Sequence, residues 1–199
     1  MSLPPDAFEP ESRAEWRAWL EAHHGAARGV WLVLRKKAAP VPNLSLEDAV
    51  EEALCFGWID SKPRKLDETR SLLYFAPRKV GSGWSAVNKA RIERMQAAGR
   101  MTPAGQTKID AATRDGSWTR LDTVDALEVP PDLAAALAAE SGARPPWDPF
   151  PPSARRGILE WIAGARTPPT RARRVRETAI LAARGERANS WRPPGGGKA

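Results

Sequence analysis

After Trp84 the chain has no stretch that alternates with a period of two, and this limits the fold more than any other feature of the sequence. Strand-like patterning is confined to Val30–Arg35 and to Trp58–Ala76. The near-continuous apolar run Val30-Trp31-Leu32-Val33-Leu34 suits a buried central strand. Trp58–Leu66 and Thr69–Ala76 read as the arms of a β-hairpin turning at Asp67-Glu68. In the first arm Trp58, Asp60, Lys62 and Arg64 share one face, and Ile59, Ser61, Pro63 and Lys65 the other. Pro63 has no N–H to give a ladder, so that arm is an edge strand or is interrupted there. Elsewhere the apolar residues recur at helical spacing. The expected class is therefore α+β: a small antiparallel sheet packed by N-terminal helices, with a helical C-terminal half.

Local signals place the helices. Ser12 with Glu15 reads as a capping box, and Trp16, Trp19, Leu20 and His23 follow on one face. Ser45 and Asp48 open a second helix, with Leu46, Ala49, Val50, Ala53 and Leu54 facing inward and an end near Gly57. Further helices are expected at about 84–98, at 103–115 behind Thr102 and Pro103, and at 131–140. Another follows Pro151-Pro152 with Ala154, Ile158, Trp161 and Ala165 as its stripe. The last spans about Pro169 to Arg184, with Val175, Ala179 and Ala182 inward. Trp16, Trp19, Trp31, Trp58 and Trp161 are the expected aromatic core. A length of 199 residues accommodates one domain, or two small lobes sharing a core. Residues 1–10 and 191–199, rich in Pro or Gly, are expected to be disordered. Residues 11–100 would form the α+β domain and 101–190 a helical region packed on it.

Several function classes are disfavoured. The longest apolar run is a strand's length, far short of a membrane span, and the N-terminus lacks the basic-then-apolar pattern of a secretory signal. A single cysteine, Cys55, rules out an internal disulfide framework and a cysteine-based zinc site. With no His or basic residue beside it in sequence, Cys55 reads as a small buried hydrophobe. His23 and His24 have no ligand-spaced partners, so no metal and no cofactor are expected, in a cytoplasmic protein.

Charge is distributed in blocks. Residues 1–60 carry a net −4, 61–100 a net +7, 101–152 a net −4 and 153–192 a net +7. The basic blocks are where an anionic partner would be sought, against the competing reading of solvated surface. Glu51-Glu52 reads as solvation of a helix face and Asp67-Glu68 as turn chemistry.

The most suggestive segment is Ala76-Pro77-Arg78-Lys79-Val80-Gly81-Ser82-Gly83-Trp84-Ser85. Two cations end a strand, a Gly-Ser-Gly loop follows, and a helix is expected to start near Trp84. Orphan backbone N–H groups at a helix N-terminus, with flexible glycines and two full charges, make an anion site. The candidate ligand-binding residues are Asp60, Arg78, Lys79, Ser82, Gly83, Trp84 and Asn88. A plainer reading makes Ser82 an N-cap, the glycines turn formers, and Asp60 a structural partner of Arg70 or Arg78. The stretch Gly81–Ala86 formally fits a dinucleotide fingerprint, but it follows a hairpin arm and no strand succeeds it.

Phe56-Gly57-Trp58-Ile59-Asp60-Ser61, Leu66-Asp67, Ala76-Pro77-Arg78-Lys79, Gly83-Trp84-Ser85, Asn88-Lys89, Arg91–Arg94 and Gly99–Gly105 resemble the YdeI/OmpD-associated family, also called bacteriocin-protection proteins. Arg155–Ile162 and Thr170–Val175 resemble that family's closing helices, and the resemblance spans about residues 8–190. It implies a bacterial α+β protein with a helical C-terminal part, associated with stress and with resistance to antimicrobial peptides or bacteriocins. It implies no particular reaction. The expected role is non-catalytic recognition of an anionic ligand. The alternatives are an enzyme acting on a phosphorylated small molecule held by the Gly81–Trp84 loop, and a nucleic-acid-binding module using both basic blocks.

Overall fold

Four strands form one sheet in the order β1-β2-β4-β3, where β1 is Ala7–Phe8, β2 Val30–Arg35, β3 Trp58–Lys65 and β4 Arg70–Pro77. The computed structural model describes residues 3–190, so the expected disorder of 191–199 lies outside the described residues. By its internal contacts the chain divides into two units, Met1–Thr119 and Arg120–Ala199.

The sheet is mixed rather than antiparallel. β2 and β3 flank β4 antiparallel, but β1 runs parallel to β2, with Ala7 opposite Trp31 and Phe8 opposite Leu32. Within the 1–10 segment expected to be disordered, Ala7 and Phe8 are instead held in the sheet by pairing with β2, and helix α1 (Arg13–His23) makes the β-α-β crossover between the two strands. Glu9, just past β1, also receives Arg35 at 2.9 Å and Arg70 at 3.1 Å.

Trp16 and Leu20 of α1 are fully buried, while Trp19 is half-buried, its ring 5.4 Å from Trp16 and stacked on exposed His23. The Ser12 cap forms as expected, but Glu15 reaches back to the N–H of Glu11. Helix α2 (Leu46–Cys55) is buried continuously from Ala49 to Cys55. Leu46, expected inward, is 53% exposed, because the first turn of α2 projects past the core.

The expected hairpin forms, but its faces are not those of simple alternation. Asp60 pairs with Phe75 and Pro63 with Leu73, with an irregularity between them. The extra residue reverses the parity of the strand, so Pro63 and Lys65 join Trp58 and Asp60 on one face. Asp67 Oδ1 closes the turn by accepting the N–H groups of Thr69 (3.0 Å) and Arg70 (2.7 Å).

Helices α3 (Ala86–Ala97) and α4 (Pro103–Arg114) complete this unit. Sequence spacing put a division at residue 100, whereas α4 belongs with the sheet. Thr102, its N-cap, donates its Oγ1 hydrogen to the Cys55 carbonyl at 2.6 Å, which anchors α4 on the end of α2.

The second unit contains α5 (Asp122–Asp125), α6 (Pro131–Ala139), α7 (Arg144–Trp147), α8 (Pro152–Ala163) and α9 (Pro168–Ala183). Ile158, Leu159 and Ile162 are the buried face of α8, so the expected stripe through Trp161 and Ala165 is offset. Trp161 is half-buried under the Arg174 guanidinium, 4.9 Å from its ring, and Ala165 lies beyond the helix. Trp147 is the aromatic anchor instead, packed with Leu133, Leu137 and Val175. In the first unit Trp84 is likewise buried, and Trp31 is half-buried with its ring 5.1 Å from Tyr74.

Candidate functional site

The residues expected to form an anion site separate into three places. Arg78 is only 6% exposed. Its guanidinium stacks on Trp84, 3.6 Å from the ring centroid, and its Nη2 donates to the Gly83 carbonyl at 2.8 Å, while its Nε has no hydrogen-bond partner. Burial pushes its pKa down to about 10, against the opposing pull of the Asp60 carboxylate. The glycine loop therefore turns a carbonyl, rather than an N–H, to the cation.

Helix α3 begins directly after this loop, near Trp84 as expected, but Ser82 is not its N-cap. Its N-cap is Ser85, whose Oγ accepts the Asn88 N–H at 3.4 Å. Ser82 donates its hydroxyl hydrogen to the Lys79 carbonyl at 2.7 Å and closes a local turn, with Gly81 at a φ of +72°. Asn88 accepts from Arg91, and Lys79 is exposed. The hollow lined by Arg78, Lys79, Ser82 and Trp84 has a volume of about 20 Å³, room for about one water. Arg78→Ala should destabilise the protein by about 1–3 kcal/mol through loss of the stacked, hydrogen-bonded guanidinium. Lys79→Ala should change urea unfolding by less than about 0.5 kcal/mol. Equal effects would show that the Trp84 stacking contributes nothing.

Asp60 lies elsewhere, in a groove of about 850 Å³. The groove runs from the loop 36–45 across the exposed end of the sheet. Asn43 holds that loop in place: its Nδ2 donates to the carbonyls of Pro10 and Val33, both at 3.0 Å, and its Oδ1 accepts the Arg35 N–H at 2.9 Å. Leu34, Leu44, Leu73 and Pro63 give the lining its apolar character. Three cations stand at the loop end. Arg35 is held by Glu9 and Glu11, and Lys36 Nζ donates to the carbonyls of Asp67 (2.6 Å) and Glu68 (3.4 Å). Lys37, exposed, has neither hydrogen-bond nor ion-pair partner among the described residues. At the other end the Asp60 carboxylate makes no hydrogen bond with them, while the neighbouring Ser61 hydroxyl donates to the Tyr74 carbonyl at 3.3 Å. The sequence signal for this site was Lys36-Lys37 set between a strand and the stiff Pro40-Val41-Pro42 segment.

The other concentration of charge is internal. Glu52, read from sequence as solvated, is 0% exposed and receives Arg13 (2.6 Å), Arg17 (2.8 Å) and Arg100 (2.5 Å). Burial raises its pKa, but the hydrogen bonds from these three arginines outweigh it and hold the carboxyl below its ordinary value. Glu51, also buried, pairs with Arg13 and Arg94, and Glu47 with Arg91 and Arg94. Arg70, Arg91, Arg94 and Arg100 of the basic block 61–100 thus neutralise acids of residues 1–60. In the second unit Arg156 pairs with Asp125 and Arg171 with Asp132, both at 2.7 Å. Burial, then the Glu52 charge, pushes the Cys55 thiol up to about 11, which leaves little thiolate near neutral pH. Among the described residues no three His, Cys, Asp or Glu side chains are grouped to hold a metal ion, and no helix is long and apolar enough to cross a membrane.

Two family models match the chain. Residues 8–108, just over half of it, match a domain of unknown function, DUF8412. Residues 126–185 match the family described as Bacteriocin-protection, YdeI or OmpD-Associated. The resemblance read from sequence is therefore matched over the closing helices, while the blocks from Phe56 to Gly105 fall in the stretch matched by the first model. No curated protein and no solved structure matches the chain.

Proposed function

The chain belongs to the DUF8412 family and carries a bacteriocin-protection-type region behind it, and on that premise we propose that it is a cytoplasmic, non-catalytic binding protein acting in resistance to bacteriocins or antimicrobial peptides, with an anionic ligand in the groove between the 36–45 loop and the sheet. The observation that carries this reading is the groove itself: about 850 Å³, apolar along its lining, with the unpaired Lys37 at its loop end. A cavity of that size with a few convergent polar groups is the usual form of a small-molecule site. The hollow at Arg78, about 20 Å³, offers no comparable volume for a phosphorylated substrate.

The test is a thermal-shift screen of nucleotides, sugar phosphates, organic acids and oligonucleotides against the full chain and Lys37→Glu. A ligand at about 100 times its dissociation constant should add about 2.7 kcal/mol of apparent stability. The shift should disappear in Lys37→Glu. A screen in which no anion shifts the wild type, or in which Lys37→Glu responds equally, overturns the groove reading.

A further inference from the structure

We infer that the groove takes an organic acid with one negative charge and an apolar body, such as a medium-chain carboxylic acid, and discriminates against phosphorylated and polyanionic molecules; this rests on the groove being the binding site. The supply of hydrogen-bond donors sets the charge of the ligand. Arg35 has directed its guanidinium to Glu9 and Glu11, and Lys36 has directed its ammonium to two backbone carbonyls. Lys37 keeps its donors. One ammonium can pair one carboxylate. Further charges on a di- or triphosphate would enter an apolar groove without partners, which costs more than the first contact gains.

The remaining lining points the same way. Leu34, Leu44, Leu73 and Pro63 offer a surface for hydrocarbon, and Leu46 extends it at the rim with half its surface in water. An apolar ligand body covering Leu46 removes exposed hydrocarbon on both sides of the contact. At the far end the Asp60 carboxylate repels a second acid group. The ligand therefore has its acid head at Lys37 and its uncharged end toward Asp60.

Decanoate below its micellar concentration, butyrate, decylamine and ATP should be titrated into the full chain, with binding located by amide chemical-shift changes. Decanoate should bind saturably, with shifts at Leu34, Leu44, Ser61 and Leu73. Butyrate, six methylenes shorter, should bind at least roughly tenfold more weakly. Lys37→Gln should weaken decanoate about tenfold. Leu46→Asn should weaken decanoate but not butyrate. ATP binding at these residues as tightly as decanoate overturns the monoanion inference while leaving the anion-binding reading intact. Decylamine binding equally well, or none of the four probes binding, overturns both.

Discussion

Replacing Glu52 with alanine should lower the free energy of unfolding by about 3 kcal/mol, the low end of the range for breaking a buried ion pair. The low end applies because Arg13, Arg17 and Arg100 are partly exposed and can turn to water once the carboxylate is gone. Glu52→Gln, which keeps the shape and one acceptor oxygen, should lose less. The pH dependence has a definite sign. The folded-state pKa of Glu52 is depressed, so its contribution is complete above the ordinary value of 4.5 and is lost as pH falls through the lower folded value. Urea unfolding of wild type and Glu52→Gln should differ by a constant amount near neutrality, and the gap should close in acid. A gap independent of pH would show that the carboxylate's charge is not what holds α1, α2 and Arg100 together.

Gly105→Ala should be the second costly substitution, at about 3 kcal/mol, at a position where alanine ordinarily stabilises. In a helix interior Gly to Ala gains about 1 kcal/mol from propensity. Here a Cβ would stand 2.2 Å from the Cys55 carbonyl oxygen and 2.6 Å from Met101 Sδ. Methionine can move, but the carbonyl cannot, since it also accepts the Thr102 N–H and hydroxyl. Helix α4 must lift from the end of α2, losing both bonds, and overpacking of this kind costs about 1–3 kcal/mol before they are counted. Chemical denaturation of Gly105→Ala checks the sign. A variant more stable than wild type would show that α4 does not approach α2 this closely.

Local chemistry was legible in the sequence. The caps at Ser12, Ser45 and Thr102, the strand at Val30–Arg35 and the Asp67 turn each depend on residues within a few positions of one another. Glu51 and Glu52 were misread because their burial depends on distant residues: Arg100 lies 48 positions from Glu52. Arg13 and Arg17, four apart on one helix face, were the available hint. The hairpin faces were misread because a register shift leaves no fixed residue signature, although Pro63 marked the place. At the candidate site, Asp60 was grouped by sequence with Arg78 and Lys79, whereas it lines the groove with the 36–45 loop. The 36–45 loop is about as far from Asp60 in sequence as Arg78 and Lys79 are, so chain separation could not choose between them, and it is the loop that builds the groove.

The alternation of charge along the chain also bears on the order of synthesis. In each unit some of the acids precede arginines that neutralise them: Glu47, Glu51 and Glu52 come before Arg91, Arg94 and Arg100, and Asp125 and Asp132 before Arg156 and Arg171. A nascent chain that has emerged only as far as β4 already contains Glu47, Glu51 and Glu52, yet Arg91, Arg94 and Arg100 are still to be made. α2 cannot reach its final charge balance against the sheet until residue 100 has left the ribosome, and Asp125 and Asp132 wait in the same way for Arg156 and Arg171. Arg100, and α4 that anchors on the end of α2 just after it, both lie within the first unit, so that unit can finish folding while the second is still being translated.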